Sequence, residues 1–232
     1  KCIDAIPMTP DGKPTPALLT KTALESASIP NIIVNAGSKI APQLPCFETG
    51  LTHGKNITVE PAMSIDDVTH AVEYGRMIGR ALGSTTDCLV IGESIPGGTT
   101  TAQTVLTSLG IDGSVSSSMQ ENPLSLKQKI ANAVAKRTES KNQFDVVSNG
   151  GDPMIPTVAG ILSTASAQTK VILAGGTQMA AVLAFGRITG YNRDNVAIAT
   201  TSYVTDDKTA NLVNMISQID QIPVFSVRLA LD

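Results

Sequence analysis

The chain is 232 residues long with a formal net charge of −3, and its 42% of hydrophobic residues are mostly aliphatic, since aromatics make up 3% and Trp is absent. This length builds one large core, and small aliphatic side chains suit the thin layers of an α/β fold better than a β-sandwich. With no basic cluster the chain lacks the electrostatic footprint of a nucleic-acid binder; with no apolar run near the roughly 20 residues of a membrane span, and no basic-then-apolar leader, it reads as soluble and unexported.

Residues 1–62 contain Pro7, Pro10, Pro14, Pro16, Pro30, Pro42, Pro45 and Pro61, which break up long elements; this part is expected to wrap the sheet or form a lid. Residues 63–232 are expected to form a βα-repeat core, the whole being a single domain over 1–232. A first β-branched run, 31–35, reads as a buried strand. Ser64 followed by Asp67 has the pattern of a capping box and opens a helix with Val68, Val72, Gly75 and Leu82 on one face. A strand at 87–91 precedes a helix that carries Ala102, Val105, Leu106 and Leu109 together, and Asn122-Pro123 marks the next helix start. Strands follow at 144–148, 170–174, 195–199 and 223–229. Helices between them carry Met179, Val182, Leu183 and Gly186 on one face, then Leu212, Ile216 and Ile219. Such alternation implies right-handed crossovers, hence a three-layer α/β/α sandwich around a mainly parallel sheet. Because the chain opens on Lys1 rather than Met and stops just after an apolar segment at 224–231, it is read as incomplete at both termini.

In an open parallel sheet ligands bind beyond the carboxyl ends of the strands, and three loops expected there are chemically unusual. The first, Gly92-Glu93-Ser94-Ile95-Pro96-Gly97-Gly98-Thr99-Thr100-Thr101, offers close backbone approach at its glycines, hydroxyl donors, and the favourable dipole of the following helix. The second, Asn149-Gly150-Gly151-Asp152-Pro153, and the third, Gly175-Gly176-Thr177-Gln178, are placed after the next two strands. Each glycine alone is satisfied by a turn that needs positive φ; three such loops in succession point to a shared phosphate site.

The loops match no common nucleotide motif. The first lacks the Lys of a Walker A loop and does not fit G-x-G-x-x-G. Ser94 stands in Gly92-x-Ser94-x-Pro96 rather than G-x-S-x-G, and His53 and His70 both lie outside the loops, which argues against a serine-hydrolase triad. His70 is expected to face solvent or pack on its helix. Cys2, Cys46 and Cys88 are odd in number and widely spaced, which suggests neither a disulfide framework nor a zinc site and fits a reducing cytoplasm. Glu93 is the carboxylate of the first loop, able to meet a substrate N–H or hydroxyl, or else to cap the turn that follows. Lys127 and Lys129 follow Pro123, where an ammonium reaches a phosphate held by the glycines or is simply solvated. Asp206-Asp207-Lys208-Thr209 lacks the Gly-Thr of a diphosphate-using phosphoribosyltransferase motif and reads as the dipole-matched start of a helix.

Taken in order, residues 92–102, Gly151-Asp152-Pro153-Met154 and Gly175-Gly176-Thr177-Gln178-Met179 resemble the nicotinate-nucleotide:dimethylbenzimidazole phosphoribosyltransferase family, in particular its archaeal and cyanobacterial branch, over a span from about Pro7 to the last strand. The resemblance implies a Rossmann-like sheet with a small lid from both chain ends, a homodimer, and no metal or cofactor. It also implies transfer of the phosphoribosyl group of nicotinate mononucleotide to a dimethylbenzimidazole-like base, giving α-ribazole 5′-phosphate and nicotinate. In that picture Ser94, Gly97, Gly98, Thr99, Thr100, Thr101, Gly151, Asp152, Gly175, Gly176, Thr177 and Gln178 line the phosphate and ribose. Glu93 matches a loop glutamate beside the substrate, and Lys129, or else Lys127, matches a phosphate-contacting lysine. The family's general base is a glutamate in a Gly-rich segment near the C-terminus, which the chain does not reach before Asp232; the segment is expected to lie outside this sequence, with Glu93 as the substitute candidate. The alternatives are a nucleotide-binding protein that keeps the pocket without the chemistry, and a phosphosugar isomerase or hydrolase using the same loops.

Overall fold

A computed structural model describes residues 12, 16–117, 122–138 and 142–229; Cys2, Pro7, Pro10, Pro14 and the apolar end at 230–231 lie outside them. The chain separates into two compact units, one ending at Thr52 and the other beginning at His53. The first holds α1 (Pro16–Ser26), β1 (Ile33–Asn35) and β2 (Cys46–Glu48). A helix of 11 residues forms here despite the prolines, because Pro16 is its first residue, where a missing N–H costs nothing. The two short strands pair in parallel, Ile33 opposite Cys46 and Asn35 opposite Glu48. Asn35 ends β1: its Oδ1 accepts the amides of Gly37 (3.2 Å) and Ser38 (2.7 Å), while its Nδ2 donates to Glu48 Oε2 (2.7 Å).

The second unit contains α2 (Ile65–Gly83), β3 (Cys88–Ile91), α3 (Gly98–Ser108), α4 (Leu124–Arg137), α5 (Gln143–Gly150), α6 (Met154–Ala165), β4 (Lys170–Ala174), α7 (Thr177–Thr189), β5 (Val196–Thr201), α8 (Ser202–Thr205), α9 (Leu212–Ile219) and β6 (Val224–Val227). Strands β3, β4, β5 and β6 make one all-parallel sheet in that order. This is the α/β fold with a helix-flanked parallel sheet that the alternation of elements called for. Burial alternates along the strands: Val171, Leu173, Val196 and Ile198 are buried, whereas Val90 and Phe225, from the other set of positions, are each 58% exposed. No described helix is long and apolar enough to cross a membrane.

One expected strand is a helix. The run 144–148 lies within α5, capped by Asn142 Oδ1, which accepts the amide of Phe144 (2.9 Å). A short apolar run does not distinguish a buried strand from a buried helix. Tertiary contacts settle it: Val146 and Val147 are buried, Ser148 Oγ donates to the Met63 carbonyl (2.7 Å), and the Phe144 ring meets that of Phe185 edge-on at 5.3 Å.

α6 is the hub of the unit. Met154, Ile155, Val158, Ala159, Ile161 and Leu162 are all buried, so it is apolar around its circumference, as a central helix must be. It packs on α2 through glycines on both sides. A Cβ on Gly75 would overlap the Thr157 carbonyl oxygen, and one on Gly160 would overlap that of Val72. α2 itself starts on the expected capping box: Ser64 Oγ accepts the Asp67 amide (3.0 Å), and Asp67 Oδ2 accepts the Ser64 amide (3.0 Å). The cap fixes where α2 begins, and the glycines fix where it meets α6.

Candidate functional site

The first loop leaves β3 and turns into α3 at Gly97, whose φ of 73° is the left-handed conformation that glycine adopts without a Cβ penalty. Gly98 is buried, and a Cβ there would strike the side-chain amide of Gln178. The third loop leaves β4, the neighbour of β3, and turns into α7 at Thr177, which is buried, with Gly175, Gly176 and Gln178 half-buried beside it. The first and third loops therefore touch at the carboxyl edge of the sheet. The amides of Thr177 and Gln178 stand in the first turn of α7, where the helix supplies no carbonyl to receive them.

The second loop joins them by another route. It comprises the end of α5, rather than following a strand, and leads into α6. Gly150 packs so tightly that a Cβ would overlap the Thr104 methyl of α3, and Gly151 lies against Val147. Arg137 holds the approach to this loop, its Nη2 donating to the carbonyls of Asn149 (3.1 Å) and Glu60 (3.3 Å). Asp152, only 5% exposed, is turned inward. Its Oδ1 accepts the amides of Met154 (3.1 Å) and Ile155 (3.3 Å), and its Oδ2 contacts Thr101 Oγ1 at 2.5 Å. Burial, opposed by these hydrogen bonds and aided by the charge of Glu93, raises its acid to about 6.

Glu93 is half-buried, and its Oε2 accepts the amide of Ile95 (3.1 Å), so in this structure it caps its own turn. Ser94 is exposed; Thr99 and Thr100 are half-buried in the first turn of α3.

The two lysines lie on opposite sides of α4. Lys129 is exposed and lines a shallow hollow on the outer side of α4 with Ser125, Gln128, Asn132, Ala133 and Lys136. Lys127, two residues earlier and so about 200° around the helix, is 4% exposed and donates to Ser116 O (3.0 Å) and Asn122 Oδ1 (2.9 Å). Burial lowers the pKa of its ammonium, and the charge of Asp207 partly offsets this. Ser116 in turn joins Lys127 to the third loop: its hydroxyl is 3.2 Å from Thr177 Oγ1 and close to the position a Gly176 Cβ would take.

Sequence reasoning missed Ser116 and Val204, which packs on Gly176, because nothing local marks them, and it read Asn122 only as part of a helix start, not as a partner of Lys127. Asp206-Asp207 does not begin a helix, since α9 starts at Leu212; Asp207 Oδ1 accepts the amide and hydroxyl of Thr209 in a turn (2.8 and 2.7 Å). His70 is exposed and lies 6.0 Å from the Tyr74 ring, away from these loops. Among the described residues no three His, Cys, Asp or Glu side chains group as metal ligands do.

A parallel sheet with glycine-rich helix starts meeting at its carboxyl edge places the chain among α/β proteins whose ligand face is built from strand-end loops. The sequence profile of a family described as phosphoribosyltransferase matches residues 25–230, and the chain belongs to that family. An Archaeoglobus fulgidus UPF0284 protein is 46% identical over 91% of this chain and 62% of its own length, and one from Methanosarcina mazei is 40% identical over 97% and 66%. The chain thus spans less than two thirds of the length of these curated relatives. Two crystal structures from Thermus thermophilus share the fold. One, of CobT, has a TM-score of 0.63 at 20% identity, covering 83% of this chain and 60% of that one. The other, of nicotinate-nucleotide-dimethylbenzimidazole phosphoribosyltransferase, has a TM-score of 0.61 at 21% identity, covering 83% and 59%.

Proposed function

We propose that the chain takes part in phosphoribosyl transfer from nicotinate mononucleotide to a dimethylbenzimidazole-like base, with α-ribazole 5′-phosphate and nicotinate as products. The observation that carries this reading is the meeting of Gly98 with Gln178, which brings two glycine-rich helix starts to one spot. Membership of the phosphoribosyltransferase family and the fold shared with the Thermus thermophilus enzyme support it.

On this reading Gly97, Gly98, Thr99, Gly176, Thr177 and Gln178 receive the 5′-phosphate and ribose through backbone amides and hydroxyls, with the helix dipoles favouring the anion. Lys127, not Lys129, adds the positive charge from behind the third loop. The loops then hold the ribose C1 in line while the nitrogen of the base attacks and nicotinate departs, so that orientation and fixed dipoles do most of the work. A carboxylate must also accept the N–H proton of the base. The same reading makes the protein a cytoplasmic homodimer that uses no cofactor, metal, nucleic acid or membrane.

The hydrogen bond from Ile95 to Glu93 favours the second reading, a chain that binds the nucleotide and leaves turnover to a carboxylate elsewhere. Nicotinate release from nicotinate mononucleotide plus dimethylbenzimidazole separates the two. Release that survives Glu93→Gln rules out Glu93 as the base. Nucleotide binding without release supports the second reading, and absence of both defeats the proposal.

A further inference from the structure

The contacts around Asp152 demand one more proton than an ionised carboxylate leaves available. Thr101 Oγ1 lies 2.5 Å from Asp152 Oδ2 and 3.0 Å from the Gly98 carbonyl oxygen, yet a threonine hydroxyl has a single proton to donate. Given to an ionised Asp152, that proton leaves the Gly98 contact as oxygen facing oxygen; given to Gly98, it leaves the Asp152 contact bare. Both contacts are satisfied when Asp152 is the neutral acid, its Oδ2–H donating to Thr101 Oγ1 and the threonine donating onward to Gly98 O. The other oxygen, Oδ1, keeps the amides of Met154 and Ile155 in either state.

Burial, first, and the charge of Glu93 favour the neutral acid, while the hydrogen bonds from Thr101, Ile155 and Met154 oppose it. From the β3–α3 loop comes the negative charge of Glu93, which opposes a second charge on Asp152. α3 contributes Thr101, uncharged, whose hydroxyl favours the carboxylate when it donates to it, and α6 contributes the two amides, which favour the carboxylate as well. The segment at 53–55 lies over it through Gly54, with His53 exposed and Lys55 held by Glu60 at 3.0 Å. Asp152 thus ties the start of α3 to the start of α6, beside a place where any anion would meet the charge of Glu93 as well.

We propose that Asp152 is a proton-carrying positioning residue: as the neutral acid it locks α3 to α6 through Thr101, and an anionic phosphoryl ligand enters the site together with a proton taken up by this carboxyl. The inference rests on the phosphate reading given under Proposed function.

Calorimetric binding of ribose 5-phosphate, and of sulfate as a dianion that does not titrate, at pH 6, 7 and 8 in two buffers of different ionisation enthalpy tests it on the wild-type chain, Asp152→Asn and Asp152→Ala. Sulfate is needed because a phosphate monoester has its own ionisation near pH 6. The wild type is expected to take up close to one proton per sulfate bound at pH 7–8, with affinity falling by up to about tenfold per pH unit. Asp152→Asn, whose amide donates to Thr101 as the neutral acid does, keeps the pH 6 affinity to pH 8 without proton uptake. Asp152→Ala binds more weakly throughout. Wild-type sulfate binding without proton uptake, or an unchanged pH slope in Asp152→Asn, overturns the proposal while leaving the phosphate reading intact. Failure of every variant to bind either anion overturns both. Should Asp152→Asn not fold, the wild-type proton count alone decides.

Discussion

Gly160→Ala tests the close crossing that places the start of α6. A Cβ on Gly160 overlaps the Val72 carbonyl oxygen and stands 3.0 Å from the Val72 carbonyl carbon and 3.1 Å from the Arg76 nitrogen. All three are backbone atoms of α2, so no side-chain rotation relieves the overlap and the helices must part. Overpacking a core costs about 1–3 kcal/mol, with a backbone clash at the upper end. Alanine returns about 1 kcal/mol through its better helix propensity. The net loss is therefore about 2 kcal/mol, or about 4–8 °C in Tm for a unit of this size. Gly186→Ala in α7 is the matched control: its Cβ meets the Tyr191 ring at 3.4 Å and Leu162 Cδ2 at 3.5 Å, which is ordinary contact. There only the gain survives, about 0.5–1 kcal/mol. Thermal and urea unfolding followed by circular dichroism measures both. A Gly160→Ala chain as stable as the wild type, or both substitutions shifting Tm in the same direction, refutes the account of the α2–α6 packing.

Ser64→Ala removes one arm of the capping box of α2 and is expected to cost about 1 kcal/mol in urea unfolding, with Ser64→Gly costing less. Lys127→Ala is expected to weaken ribose 5-phosphate binding by about tenfold or more, the loss of a charge-assisted hydrogen bond. Lys129→Ala leaves binding unchanged, and equal losses by equilibrium titration would count against Lys127. The acid of Asp152 is raised from the ordinary 3.8 to about 6, so the folded chain holds this proton more tightly than the unfolded one. The stabilisation this proton gives is complete below pH 3.8 and is lost as pH rises through 6, at most about 3 kcal/mol. Asp152→Asn is thus expected to gain stability relative to the wild type as pH rises from about 4 through 6, with the difference level above about pH 7. A constant difference from about pH 4 through 6 in urea unfolding sinks the assignment.

Most of what was legible in the sequence is local. The capping box at Ser64 and Asp67, the strand at 170–174 and the apolar faces of α3, α7 and α9 follow from hydrogen bonds and periodicities that span a few residues. The glycine-rich loops were visible too, because a chain that reverses tightly between elements, as at Gly97 with its positive φ, has few residue types to choose from. The run 144–148 failed as a strand because its length and composition suit either state, and only packing on Met63 and Phe185 separates them.

The sequence by itself determined an α/β chain with parallel strands and three glycine-rich segments, two of them at helix starts and one at the end of α5. Tertiary structure alone decided which side chains pack against those segments: Lys127 rather than Lys129 is buried, Asp152 points inward, and Ser116 meets Thr177. The physical reason is distance along the chain. Thr101 meets Asp152 across 51 positions and Ser116 meets Thr177 across 61, and contacts of that range depend on how helices pack rather than on any local pattern.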